Sequence, residues 1–406
     1  MAQPDPGLGP KPISPNPKKA IASNIVILGL VSFFTDIGTQ MIYPILPLYL
    51  TAVLGASPAV IGVIEGVAES LASVLRLFSG IVADKYNNKK QLAFIGYFGS
   101  FVSKILIIFS TTWGGVLLAR VTDRFGKGLR TAPRDALIAE STQKSGLGKS
   151  FGLHKALDMM GTAAGILLAY FLLAAPEGGY RNIFICSMIP ALIGPLVVLL
   201  VKDSKKPIAK KLNFGWKAFD GRLKLFLLIT FVFTLGNSSN AFLLLRAYSA
   251  GFSARETVLL YFVYSLVAAL LSYHVGKWSD RAGRRYTLPI GYILYGLVYL
   301  GIGLLSSRPA FYGLFVVYGF YVAIATGGER ALLAEIAPER LKASAFGLHS
   351  AIVGIGLLPA SVIAGFFWDC WGEAAPFIFG GALGLLAGIS VFLLLGLKNA
   401  PASAKS

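Results

Sequence analysis

Gly276-Lys277-Trp278-Ser279-Asp280-Arg281-Ala282-Gly283-Arg284-Arg285 decides the fold, because a related stretch stands earlier: Gly80-Ile81-Val82-Ala83-Asp84-Lys85. Each opens a short basic segment between two apolar runs, at an offset of 196 from Asp84 to Asp280. A second set agrees. Phe151-Gly152-Leu153-His154 recurs as Phe346-Gly347-Leu348-His349, and Ala136-Leu137-Ile138-Ala139-Glu140 recurs as Ala331-Leu332-Leu333-Ala334-Glu335, both at an offset of 195. Two unrelated patterns at nearly one spacing point to a tandem of two similar halves.

Composition places both halves in lipid. Of 406 residues, 55% are hydrophobic and 14% charged, against about 25% charged in soluble domains. Apolar runs near 20 residues read as membrane-crossing helices. Twelve are expected, at 24–50, 58–83, 91–110, 113–138, 150–174, 181–201, 222–246, 256–277, 287–306, 309–334, 344–367 and 373–397. Helices satisfy their own backbone groups in lipid. No alternating ten-residue strands of a barrel are present. The expected fold is an all-α membrane protein of two six-helix halves related by a parallel pseudo-twofold axis, with a site near mid-membrane between them.

The net charge of +18 would suggest nucleic acid in a soluble protein. Here its placement reads as topology, and no nucleic-acid partner is expected. Lys11, Lys18 and Lys19 precede the first span, and eight basic residues fall between Lys202 and Lys224. The opposite loops are short and nearly neutral. Basic loops stay cytoplasmic, so both termini are expected inside, in a multi-pass protein of the inner membrane. Residues 1–23 read as a disordered cytoplasmic tail and not as a signal peptide. The halves are expected at 24–201 and 222–397, joined by a cytoplasmic linker at 202–221 and followed by a tail at 398–406. Cys186 and Cys370 lie in or beside apolar spans and imply neither disulfide nor metal site. No cofactor is expected, and the partners are the bilayer, protons and a small molecule, bound by a monomer.

The chain resembles the major facilitator superfamily over nearly its whole length. Gly276 to Arg285 matches that superfamily's G-x-x-x-D-R-x-G-R-R signature without a mismatch. The first loop departs from it, with Asn87 in place of Gly and Asn88 in place of Arg. Asn tolerates positive φ better than most residues. Leu117-Leu118-Ala119-Arg120 in the fourth span resembles the start of a second signature, whose Arg serves proton-coupled transport. Asp123 and Arg124 then replace the usual Gln and Gly. Gly161 and Gly165 match part of the antiporter signature in the fifth span, but no Pro follows. The run Asp123-Arg124-Phe125-Gly126-Lys127-Gly128-Leu129-Arg130 resembles a subgroup of uncharacterised prokaryotic members.

Internal symmetry separates scaffold from site. Asp84 and Asp280 repeat, as do His154 and His349. The two Asp residues suit a cytoplasmic latch, held by a helix N-terminus or an Arg of the other half. The gating set is Gly80, Asp84, Lys85, Arg134, Gly276, Asp280, Arg281, Gly283, Arg284 and Arg330, with Arg130 and Arg340 as further partners. A loop that only orients the protein would need Lys and Arg but not Asp. The repeated His residues read as packing groups.

Other intramembrane charges occur once. Asp36, Glu65, Glu69, Arg120, Asp123, Arg124, Lys127 and Asp158 all fall against uncharged positions of the second half. That half is expected to be neutral and Tyr-rich, with Tyr261, Tyr264, Tyr295, Tyr299, Tyr318 and Tyr321. Arg120, Arg124, Lys127, Thr131 and Arg134 share one helical face. A lone charge at mid-membrane costs about 2.5–3.5 kcal/mol or more, so these charges must pair or line a wet cavity. A purely structural ion-pair network is the plainer alternative. Burial disfavours a carboxylate's charged form and a nearby Arg favours it; moving the Arg therefore moves a proton. Asp36, Glu69, Arg120, Asp123 and Asp158 are the proton-coupling candidates. Gln40, Glu65, Arg124, Lys127, Asn237, Asn240 and Tyr318 are the substrate-binding candidates. Tyr43-Pro44 and Pro47 are expected to interrupt the first span, Pro133 the fourth and Pro359 the eleventh.

The expected function is secondary transport by alternating access, proton-coupled, exporting a small organic solute. An anionic solute held by Arg120, Arg124 and Lys127 is the alternative. A membrane enzyme is not expected, since only three His exist, two of them repeated, and no phosphate loop carries a Lys-Ser/Thr ending. A non-transporting sensor of the same fold would bind solute without moving it.

Overall fold

The computed structural model describes residues 17–86, 88–142, 147–174, 179–202, 220–282, 284–337 and 342–395, less some side chains near helix ends. Every regular element among them is helical. The first seven are α1 (Pro17–Ile42), α2 (Leu46–Ala52), α3 (Pro58–Tyr86), α4 (Lys89–Ile108), α5 (Trp113–Glu140), α6 (Leu147–Ala174) and α7 (Tyr180–Val198). The rest are α8 (Gly221–Gly236), α9 (Asn240–Ser249), α10 (Ala254–Ala282), α11 (Arg284–Leu304), α12 (Arg308–Ile336), α13 (Lys342–Trp371) and α14 (Ala375–Ser390). A short π turn, Val391–Leu395, extends α14. Helix α1 starts at Pro17, so residues 17–23, expected to be disordered, carry helical backbone. Residues 1–16, most of the linker and the C-terminal tail lie outside the described residues.

Eleven spans among the described residues are long and apolar enough to cross a membrane, with α1–α2 and α8–α9 each forming one. The expected fourth span is the exception. Its helix, α5, has 28 residues, about 42 Å at about 1.5 Å per residue, which is ample length. Its charged residues keep it from being apolar enough. Arg120, Asp123 and Arg124 are just 5%, 3% and 4% exposed; its charges turn inward, away from any lipid.

The expected break in the first span lies between Ile42 and Leu46, around Pro44. A second break, at Asn237-Ser238-Ser239 between α8 and α9, has no proline to announce it. There Asn237 caps α8 through its backbone N–H, and the Ser239 side chain accepts from Ala241 N at 3.3 Å to start α9. Pro133 and Pro359, expected as interruptions, sit inside the continuous helices α5 and α13. Membrane helices tolerate proline where neighbouring groups satisfy the freed backbone.

Between α1–α7 and α8–α14 the principal contacts are α3 with α13, α6 with α10, and α2 and α3 with α9. Small residues make the first of these close. A β-carbon on Gly66 would stand 2.9 Å from the Leu358 carbonyl oxygen, and one on Gly62 would strike the Ser361 carbonyl. Gly161 and Gly165 do the same for α6 against α1, meeting backbone at Phe33 and Ile37. Helices in lipid have no hydrophobic drive to associate, so close backbone approach of this kind carries the packing.

Candidate functional site

Helices α3 and α5 run side by side, and the i, i+4 spacing on each builds two stacked ion pairs. Arg120 grips Glu65 bidentately, Nε to Oε1 at 2.9 Å and Nη2 to Oε2 at 2.7 Å, both groups buried. One turn on, Arg124 Nε lies 3.2 Å from Glu69 Oε1. The two pairs differ in access. The Glu65 side chain is 4% exposed and that of Glu69 30%. Only the second can meet a solute.

Behind them stands a third pair. Lys104 on α4 donates to Asp123 Oδ1 at 3.0 Å, and its ammonium also reaches Thr39 Oγ1 on α1 at 3.3 Å. Both charges are almost fully buried, so each neutralises the other in a region where neither would survive alone. Arg130 is held without a carboxylate. It donates to Ser100 Oγ at 2.5 Å and to the Gly96 carbonyl, and lies over the Tyr97 ring at 4.7 Å. Asp158 accepts from Lys155 Nζ at 2.6 Å, and the Asp36 carboxyl faces it.

A cavity of about 150 Å³ opens among these groups, lined by Asp36, Gln40, Glu69, Arg124 and Lys127, with Asn240 and Tyr261 across it. A second, of about 400 Å³, is lined by Asn237, Ser238, Ser239, Tyr318, Tyr321 and Glu329. Tyr43, Glu69 and Asn240 line both, so the two cavities adjoin. The tyrosine wall is tied together by hydrogen bonds. Asn240 donates to Tyr264 OH at 3.0 Å and accepts from Tyr318 OH at 2.8 Å. Tyr261 OH donates to Gln40 Oε1 at 3.1 Å, joining α10 to α1. The helix breaks meet beside this space, where Ser239 Oγ donates to Glu65 Oε2 at 3.2 Å and lies 3.4 Å from Tyr43 OH.

Comparison with known proteins fits this geometry. The sequence model of the Major Facilitator Superfamily matches residues 28–233 and again 225–406. The chain belongs to the Major Facilitator Superfamily. An uncharacterised MFS-type transporter of Methanocaldococcus jannaschii, MJ1317, is 34% identical over 384 residues, covering 93% of this chain and 96% of that protein. The multidrug resistance protein MdtH of Photorhabdus laumondii is 22% identical over 335 residues, 79% of this chain and 80% of that one. Among solved structures, the nucleoside transporter NupG superposes with a TM-score of 0.75 at 14% identity, over 92% of this chain and 99% of that one; this likeness concerns the fold. The chain is a multi-pass membrane transporter of the superfamily and not an enzyme.

Within that superfamily frame, the residues chosen from sequence separate. Asp36, Gln40, Glu69, Asp123, Arg124, Lys127, Asn237, Asn240 and Tyr318 all line the cavity. Glu65, Arg120 and Asp158 do not; they lie behind it, each committed to a partner. Arg120, matched to the superfamily's proton-coupling Arg, is therefore clamped on Glu65, and Arg124 is the guanidinium at Glu69. Of the gating set, Arg134 pairs with Asp135 at 2.8 Å. The side chains of Gly80, Asp84, Lys85, Gly276, Asp280, Arg281, Gly283, Arg284 and Arg330 lie outside the described residues.

Two groups were missed. Lys104 stands alone in the apolar third span, and an ionisable residue in such a run is itself the signal. Glu329 overturns the expectation of a neutral second half. It accepts from Tyr292 OH at 2.9 Å and lies 3.5 Å from His349 Nε2. Its place beside Arg330, near the basic segments expected at the cytoplasmic face, hid it among their charges.

Proposed function

We propose that this chain is a proton-coupled secondary transporter that exports a small organic solute by alternating access. Two six-helix halves, 24–201 and 222–397, rock about the α3–α13 and α6–α10 seams, with both termini on the cytoplasmic side of the inner membrane. The double match of the family model supports the halves. So do the paired breaks after Ile42 and after Gly236, 194 residues apart. The match to MdtH, and to the quinolone resistance protein NorA of Staphylococcus aureus over 152 residues, supports export. The basic helix ends carrying Asp84 on α3 and Asp280 on α10 act as the cytoplasmic latch in this reading, and the transporter works as a monomer.

One observation carries the coupling. Glu69 is a partly exposed carboxylate of the cavity that holds an arginine, and that counter-ion, Arg124, faces the same space. A proton on Glu69 removes the charge that holds Arg124, and the freed guanidinium can then take or release solute. Asp36, in the same cavity and facing Asp158, is the second carrier. Gln40, Asn237, Asn240 and Tyr318 orient the solute through uncharged hydrogen bonds.

The test is proton flux in proteoliposomes across a solute panel, with Asp36→Asn and Glu69→Gln. Each substitution should cut proton-driven transport at least about tenfold, while exchange of solute for solute persists. Full proton-driven transport in both variants rejects the assignment. Solute binding without movement would instead indicate a sensor. A second reading, transport of an anionic solute, draws on Lys127. Among the described residues its ammonium has no carboxylate within ion-pair distance, although it lines the cavity.

A further inference from the structure

Glu329 and Lys127 are charges of opposite sign that line these cavities and that the ion-pair network leaves over, as it does Asp36 and Arg130 among the described residues. Arg120, Arg124 and Lys104 each hold a carboxylate within 3.2 Å. Lys127, on α5, has none among the described residues. Glu329, on α12, has no Lys or Arg among them. Its neighbours are Tyr292 of α11, which donates to Oε1, and His349 of α13, 3.5 Å from Oε2. That second contact is incomplete. His349 Nε2 is buried without a hydrogen-bond partner, its ring stacked on Phe226 of α8 at 9° between planes. One oxygen of Glu329 is thus weakly engaged, on a residue that lines the cavity wall.

We propose that Glu329 is a solute-binding residue that takes the cationic end of a zwitterion whose anionic end is held by Lys127. This rests on the transport reading and names its substrate class. The two residues line adjoining cavities that share Tyr43, Glu69 and Asn240, of about 150 Å³ around Lys127 and about 400 Å³ around Glu329, the scale of small-molecule sites, about 300–1,000 Å³. Glu69 between them is neutralised by Arg124, and Asn240 is tied to two tyrosines. Among the described residues Lys127 is thus left without a carboxylate, and Glu329 without a Lys or Arg, in ion-pair reach on the walls of the two adjoining cavities. A charge removed from water must find its opposite. A solute with one charge answers one of the two and leaves the other uncompensated. A zwitterion answers both and adds no net charge to the membrane interior.

The experiment uses the purified full chain in nanodiscs, with binding read by thermal shift and scintillation proximity. The probes are the proteinogenic α-amino acids and small betaines, with the amides and N-acetyl derivatives of the amino acids. The expected result is one or more zwitterionic binders, whose amide (anion removed) and N-acetyl derivative (cation removed) each bind at least about tenfold more weakly. Glu329→Gln should remove the preference over the N-acetyl form only, and Lys127→Gln the preference over the amide only. Glu329→Asp, which keeps the charge but retracts it, should weaken binding and keep selectivity, and it replaces Glu329→Gln should that variant not fold. The inference is overturned by tighter binding of a singly charged derivative, by no binder in the panel, or by unchanged selectivity in Glu329→Gln. Proteoliposome flux of each binder separates the two ideas. A zwitterion bound but never moved defeats the transport reading alone. A singly charged derivative moved against its gradient defeats the inference alone.

Discussion

Lys104 is the residue on which the buried network turns. Its ammonium is the direct partner of Asp123, and both side chains are 5% exposed. Removing one member of a buried pair strands the other, at a cost of about 3–5 kcal/mol. Lys104→Met is expected to lower the melting temperature in detergent sharply. Lys104→Met with Asp123→Leu should recover most of the loss, because neither member of the pair is then left stranded. A double variant as unstable as the single one would show that the network acts as more than pairs. Arg120 and Arg124 teach the same lesson in different terms. They are one turn apart on α5, of one residue type, and both legible as intramembrane charges. Which of them reaches solute depends on the carboxylate that faces each, and Glu65 and Glu69 are 4% and 30% exposed. No property of either arginine in isolation distinguishes them.

The α3–α13 seam sets what the helices can do. Gly62 and Gly66 meet Ser361 and Leu358 backbone, Gly365 on α13 meets Pro58 and Ala59, and Gly354 meets Ser73. The helices therefore touch backbone to backbone from Pro58 to Gly66, about 12 Å of helix, and Gly354 extends the contact to the Ser73 side chain. Backbone cannot swing aside as a side chain can, so Gly62→Val is expected to cost about 1–3 kcal/mol by overpacking. Gly152, with open space around its would-be β-carbon, is the control: Gly152→Ala should leave the melting temperature within a degree or two, since exposed helical Gly→Ala changes are worth about 1 kcal/mol in the helix's favour. The break between α8 and α9 belongs to this scale too. Its sequence, Asn237-Ser238-Ser239, contains polar residues that cap helices, and a cap signal inside an apolar span was the available clue. Pro133 and Pro359 gave the opposite false clue, since a proline in a span is compatible with a continuous helix.

At the scale of the molecule, the end carrying α2 and α9 is closed. There Ala59 N donates to Asp369 Oδ2 at 3.2 Å, between α3 and α13. In alternating access this end must open. With Cys186 and Cys370 replaced by Ser, the pair Ala59→Cys and Asp369→Cys is expected to cross-link on oxidation. Transport should then fall by at least about tenfold and return on reduction. Full transport by the cross-linked protein would reject opening at this seam. What the linear chain determined by itself is the membrane class, the helical content, the family and most of the residues around the cavity. These follow from composition, run length and the cost of intramembrane charge, which are properties of local sequence. Only the tertiary structure decided how those charges are partnered: Arg120 sealed on Glu65, Arg124 open at Glu69, Lys104 behind Asp123, and Glu329 brought to the cavity opposite Lys127. Ion pairing depends on a few ångströms of separation between side chains tens to hundreds of residues apart, and only the packing of helices sets that distance.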